Sequence, residues 1–215
     1  MLRNSRFATL FAAIVTAALA AGSAAPASGA SFTVNATYDA VDAAPGDGVC
    51  ADAGGACTLR AAVEETNALA GADAIAVPAG EYGGALLITD SVTIDGAGAA
   101  STTIRGPSPN GAGSVFSIRC GYPQLSVAIS GVLITAGLNR GGGIYNCGHT
   151  VTLRAVTIGP NGGAGFDGGG VWNSGTLSIV DSAIVNNWAQ EGGAILNDPS
   201  GQVRIVNSTL SANLG

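Results

Sequence analysis

Fourteen carboxylates, one histidine and four cysteines are the side chains with which this chain could do acid–base, metal or redox chemistry. Glycoside hydrolysis needs two carboxylates converging on one bond. Asp90 and Asp95 lie close in sequence, but Asp95-Gly-Ala-Gly reads as a turn. Asp167 and Asp181 each stand apart from other acids. His149 has no Ser, Cys or acid at a spacing that would make it a base for a nucleophile, and there is no Lys to act as one. Cys50, Cys57, Cys120 and Cys147 contain no Cys-x-x-Cys pair, so disulfides are favoured over a zinc site. Cys50 with Cys57 would close a local loop, and Cys120 with Cys147 would join more distant segments. No catalytic residue, metal site or cofactor is therefore expected, and the balance leans against an enzyme.

The elements that must position these groups emerge from an internal repeat. Val151–Asn161, Leu177–Asn187 and Val203–Asn213 superimpose without gaps at a constant offset of 26. The same step back from the first copy reaches a weaker one at Leu125, Val127, Ser130 and Val132. Between copies sits a second motif, Gly141-Gly-Gly-Ile-Tyr-Asn146, Gly168-Gly-Gly-Val-Trp-Asn173 and Gly192-Gly-Ala-Ile-Leu-Asn197. Apolar residues alternate, as at 177/179 and 203/205, which is strand periodicity. One such coil cannot bury its apolar face alone; stacking coils in parallel does so. Cys120 and Cys147 stand close to one repeat apart, which would place them on neighbouring coils.

The expected fold is all-β, a right-handed single-stranded parallel β-helix with an N-terminal cap containing one short α-helix. A β-propeller would need a repeat of roughly 40 residues. Val151/Leu177/Val203, Leu153/Ile179/Ile205 and Ile158/Ile184/Leu210 should form interior ladders. Asn161, Asn187 and Asn213 should stack at the bends, where Asn bonds backbone groups and tolerates left-handed φ. Asp181 then lies one period from Ala155 and Asn207, so no column of acids forms. Tyr145 and Trp172 share one motif position beside inward Ile144 and Val171, so they should point outward as candidate ligand-stacking residues.

Arg3 and Arg6, the uncharged run Phe7–Ala21 and the small residues Ser28-Gly29-Ala30 read as an export leader cleaved after Ala30. What remains has six Arg, no Lys and fourteen acids, a net charge of −8 that disfavours nucleic acid and anionic lipid. The expected organisation is a leader at 1–30, a cap at 31–84 and β-helix repeats at 85–215. The last copy ends at Asn213-Leu-Gly215, between one coil and the next. A truncated chain, self-association at an uncapped coil and membrane attachment only through a missing anchor are the expectations that follow.

Cys57-Thr-Leu-Arg-Ala-Ala-Val-Glu-Glu-Thr-Asn67 resembles the Cys-Ser-Leu-Arg-Glu-Ala-Ile signature of CSLREA-domain proteins, departing at Thr58, Ala61 and Val63. Gly-Gly-Ala-Ile at 192–195 and apolar-x-x-Asn at 184–187 and 210–213 resemble the repeats of polymorphic outer-membrane proteins, without their Phe. The resemblance implies an exported bacterial surface or extracellular protein with a pectate-lyase-like β-helix. The cap-motif residues Cys57, Leu59, Arg60 and Asn67 would close its first coil. The expected function is a secreted or surface scaffold for adhesion, display or matrix contact, with an extracellular glycan or surface protein as partner. The alternative is a carbohydrate-binding or polysaccharide-degrading protein.

Overall fold

The computed structural model describes residues 29–107 and 113–215; the expected leader, apart from Gly29 and Ala30, lies outside them. Short strands stack in parallel into three sheets of seven, six and five strands. The first sheet holds Ser31–Thr33, Asp73–Val77, Val92–Gly96, Ser126–Ser130, Thr150–Arg154, Thr176–Val180 and Gln202–Val206. The second begins with Gly80–Gly83 and ends with Thr209–Ser211. The third holds Leu86–Ile88, Phe116–Ile118, Ile144–Asn146, Val171–Asn173 and Ile195–Asn197. One strand from each sheet makes a coil, so five complete coils form a β-solenoid. Asp73–Val77 and Gly80–Gly83 belong to its first coil, so the solenoid begins ahead of residue 85.

Alternation puts every second side chain into a continuous interior. The predicted ladders Val151–Leu177–Val203, Leu153–Ile179–Ile205 and Ile158–Ile184–Leu210 are all paired in register. Leu177, Ile179 and Ile184 are fully buried, whereas Ile205 and Leu210 on the last rung are each 42% exposed. The fourth copy is displaced by two positions from its expected place: Val151 pairs with Val127 and Leu153 with Ile129. Leu125 therefore does not join the first ladder. From Ser126–Ser130 onward only the leg from first to second sheet is constant, the same from Val127 to Ile134, from Val151 to Ile158 and from Leu177 to Ile184, whereas the leg from Val92 to Ile104 one coil earlier is longer. The next leg is two positions longer from Ile158 to Val171 than from Ile184 to Ile195. The closing leg compensates, being shorter by the same amount from Val171 to Leu177 than from Ile195 to Val203.

The constant leg turns on one left-handed residue per coil, Gly131, Ala155, Asp181 and Asn207, with φ of 61°, 52°, 51° and 46°. Outside glycine, left-handed φ also occurs at Ala136, Asn186 and Ala212, at 60°, 57° and 53°. The ladder asparagines do not adopt left-handed φ; their role is hydrogen bonding. Asn161 Nδ2 donates to Asn187 Oδ1 at 3.1 Å and Asn187 Nδ2 to Asn213 Oδ1 at 2.9 Å. Asn161, Asn187 and Asn213 Nδ2 also donate to the carbonyls of Ile134, Ile158 and Ile184 at 3.0, 2.9 and 2.8 Å respectively. A second ladder, unforeseen from sequence, runs Asn146–Asn173–Asn197 with both links at 2.7 Å. It continues an inward column that starts as Ile88 and Ile118. The motif glycines have a packing reason: a Cβ on Gly143 would sit 2.7 Å from the Gly170 carbonyl oxygen and 2.8 Å from Ile158.

The cap closes the first coil. Thr58 N-caps the helix Leu59–Ala68, its hydroxyl accepting from Ala61 N at 3.0 Å and donating to Ala40 O at 2.6 Å. Leu59, Ala62 and Val63 face the core. Arg60 forms a bidentate pair with Asp39, both bonds 2.7 Å, and also donates to Ala85 O. Asn67 takes the place of a neighbouring strand: its Nδ2 donates to Leu87 O and its Oδ1 accepts from Thr89 N, both at 2.7 Å. Ser31–Thr33 covers the edge of Asp73–Val77 in the same way. The Cys50–Cys57 disulfide, Cα–Cα 5.0 Å, anchors the preceding loop to the helix start. Buried Glu65 accepts from Gly46 N and Gly48 N, both at 2.5 Å. Asp52 accepts from Tyr38 Oη, Gly54 N and Ala56 N.

Two outcomes follow. Asn187→Ala leaves several buried carbonyl and amide groups unpaired and should cost about 3 kcal/mol, whereas exposed Asn197→Ala should cost under about 1 kcal/mol, both read by urea unfolding. The Tyr38 hydroxyl, and then the Ala56 amide, hold the Asp52 carboxyl below its ordinary value. Its stabilising contribution is then complete above the unfolded value of about 4 and fades as pH falls through the lower folded value. The melting-temperature gap between the native protein and Asp52→Asn should be constant above that range and close in stronger acid.

Candidate functional site

The outward column of the third sheet runs Leu87, Ser117, Tyr145, Trp172, Leu196. Over its first three members lies a cleft of about 570 Å³, with Arg119 and Arg140 in its lining beside Tyr145. Arg119 follows the strand Phe116–Ile118, and Arg140 lies in the turn before Ile144–Asn146. Both arginines have their backbone tied. The Arg119 carbonyl bonds His149 Nε2 at 2.9 Å, and the Arg140 carbonyl accepts from buried Ser114 Oγ at 2.8 Å. Cys120, next to Arg119, is joined to Cys147 one coil away, with Cα atoms 4.9 Å apart. Both disulfides expected from the spacing are therefore formed.

His149 lies in the bend between Ile144–Asn146 and Thr150–Arg154 and is buried, 3% exposed. Its Nδ1 accepts from Leu125 N at 3.3 Å while Nε2 meets the Arg119 carbonyl, which fits the tautomer protonated at Nε2. Both ring nitrogens are thus occupied in holding the cleft's edge.

Tyr145 and Trp172 do point outward, but they do not form an open stripe. Their rings stack with centroids 4.8 Å apart and planes 18° apart. The Arg140 guanidinium carbon lies 5.5 Å from the Trp172 centroid, and Trp172 is only 8% exposed. Trp172 thus works as a platform, with Tyr145 half-buried at the cleft wall. The tryptophan that does meet solvent is Trp188, 48% exposed, which lies outside the motif.

The electrostatics of the cleft invert those of the protein. Among the described residues Arg119 has no carboxylate within ion-pair distance, and Arg140 has only Asp167 at 3.7 Å. Half-exposed pairs of that length contribute little. Asp95 lies on the first sheet, where it bonds Ser130, and Asp90 lies just ahead of the same strand. Asp181 bonds Asn207 at 2.6 Å and Arg154 at 3.0 Å. Among the described residues the cleft lining offers guanidinium, hydroxyl and phenol groups. Such a site can hold an anion and stack a ring. Comparisons with protein-family models, curated proteins and solved structures found no match for this chain.

Removing the guanidinium should uncover the platform. In a Trp188→Phe background Trp172 is the sole tryptophan, and Arg140→Ala should shift its emission to longer wavelength while costing roughly 0.5–1 kcal/mol of stability. An unchanged emission maximum would show that Arg140 does not cover the ring.

Proposed function

We propose that the protein is an exported β-solenoid scaffold for surface or matrix contact, and that its cleft holds an acidic glycan chain without cleaving it. The observation that carries this is the pair Arg119 and Arg140 beside Tyr145 in a chain whose net charge is otherwise acidic. Two guanidiniums match two carboxylates of a uronate chain, and a phenol ring stacks on the apolar face of a sugar. Two disulfides fit an oxidising compartment. No described helix is long and apolar enough to cross a membrane. The likeness to CSLREA-domain and outer-membrane repeat proteins points the same way, since it implies display at a bacterial surface. The cleft sits on a rigid sheet rather than on a long loop, which suits a docking surface with little ordering to do on binding.

Calorimetry with a galacturonate oligosaccharide and its neutral galactose counterpart tests the proposal. The acidic chain should bind, the neutral one at least about tenfold more weakly, and Arg119→Ala or Arg140→Ala should each weaken the acidic chain about tenfold. Equal affinity for both sugars, or none for either, would sink the glycan reading. Shortening of the oligosaccharide on incubation would overturn the absence of catalysis.

A further inference from the structure

Asp73 opens the first strand of the first coil, with its side chain on the inward face, and is 2% exposed. Its Oδ1 accepts from the Ala30 amide nitrogen at 2.6 Å. Its Oδ2 is buried and has no hydrogen-bond partner among the described residues. No described Arg pairs with it. A buried carboxylate with one neutral donor is an unfavourable arrangement unless a cation reaches it.

The nearest source of a cation is the nitrogen already in contact. Of the small-x-small sequences in the leader, two end next to the Ala30 nitrogen and carbonyl, Ala27-Ser-Gly29 followed by Ala30, and Ser28-Gly-Ala30 followed by Ser31. Cleavage after Ala30 would remove both the donor to Asp73 and the carbonyl that accepts from Ala74 N at 2.9 Å. Cleavage one bond earlier keeps both and changes the nitrogen from a neutral amide with one N–H to an ammonium with three. We propose that the leader is removed between Gly29 and Ala30, and that the new Ala30 α-ammonium forms a buried ion pair with Asp73. The step is a hydrolysis by a leader peptidase: the Gly29–Ala30 amide bond breaks, water supplies the hydroxyl taken by the Gly29 carbonyl carbon and a proton taken by the Ala30 nitrogen, and the new Gly29 carboxyl group gives up a second proton, leaving a carboxylate and the Ala30 ammonium. This rests on the export reading above, and it makes processing part of folding, since the charge that completes the first coil exists only after cleavage.

The chain has no Lys, so the α-amino group of the processed protein is its only primary amine. The full chain, expressed with its own leader in a secreting bacterial host, should yield an exported product whose intact mass begins at Ala30. An exported product beginning at Ser31, or elsewhere, overturns the proposal while export stands. No exported product overturns the export reading and this proposal together. In the Ala30 product, an amine-specific acetylating reagent should label the native protein severalfold more slowly than the same protein in urea, and Asp73→Asn should speed labelling of the folded state. Native and urea-unfolded protein labelled at the same rate would overturn the ion pair, even should Asp73→Asn fail to fold.

Discussion

Strands of two to five residues cannot hold themselves, and each strand here is held by its counterpart one coil away along the axis. That axial register is the constraint from which the rest follows. It forces like residues into columns, so an inward column must be apolar throughout or must satisfy itself, and an outward column is free. The column Ile88–Ile118–Asn146–Asn173–Asn197 shows both solutions in one line. Where apolar side chains give way to asparagine, Asn146 and Asn173 each donate to the next coil's amide oxygen and to a backbone carbonyl in the adjoining turn, and Asn197 donates to the Gly201 carbonyl. A single asparagine there would be a buried polar group with half its bonds unmade; a stack of them satisfies itself along the axis.

The same register creates the problem that the N-terminal region solves. A stack of parallel strands exposes unpaired backbone groups on its first coil, and such edges recruit other chains. Three different groups cover them here: a backbone strand at Ser31–Thr33, the Asn67 side chain acting as a one-residue strand, and the Arg60 guanidinium on Ala85 O. The Cys57–Asn67 segment is therefore legible as a structural device, in which the disulfide and the N-cap fix the start of one short helix and the two edge contacts, Arg60 and Asn67, lie two turns apart along it.

The solenoid is readable from the sequence because alternation and stacking act on every coil. The ladders at 151/177/203 and 158/184/210 are therefore where the pattern puts them. The displaced fourth copy shows where such a pattern stops informing. The constant period arises because a long second leg and a short closing leg compensate, as at Val171, while Val127–Val151 lacks that compensation. An even displacement leaves the alternation intact, so nothing in local periodicity reveals it. The second asparagine ladder is visible as the last letter of each glycine motif, yet those asparagines are unevenly spaced along the chain, which hides the stack.

The cleft is not readable, and the reason is physical. Arg119 and Arg140 belong to turns, where successive coils differ in length, so neither has a counterpart one period away. They meet only because the first three coils of the third sheet bring Leu87, Ser117 and Tyr145 into one outward column beneath them. The aromatic position is legible in the sequence, but its exposure is not, because the guanidinium that covers Trp172 comes from a turn the motif does not include. What the outward column can bind is thus decided by the variable turns, while the inward columns decide only that the column is straight and rigid. A fold with this division can change its ligand by changing a turn, since no ladder, asparagine stack or edge cap passes through Arg119 or Arg140 side chains.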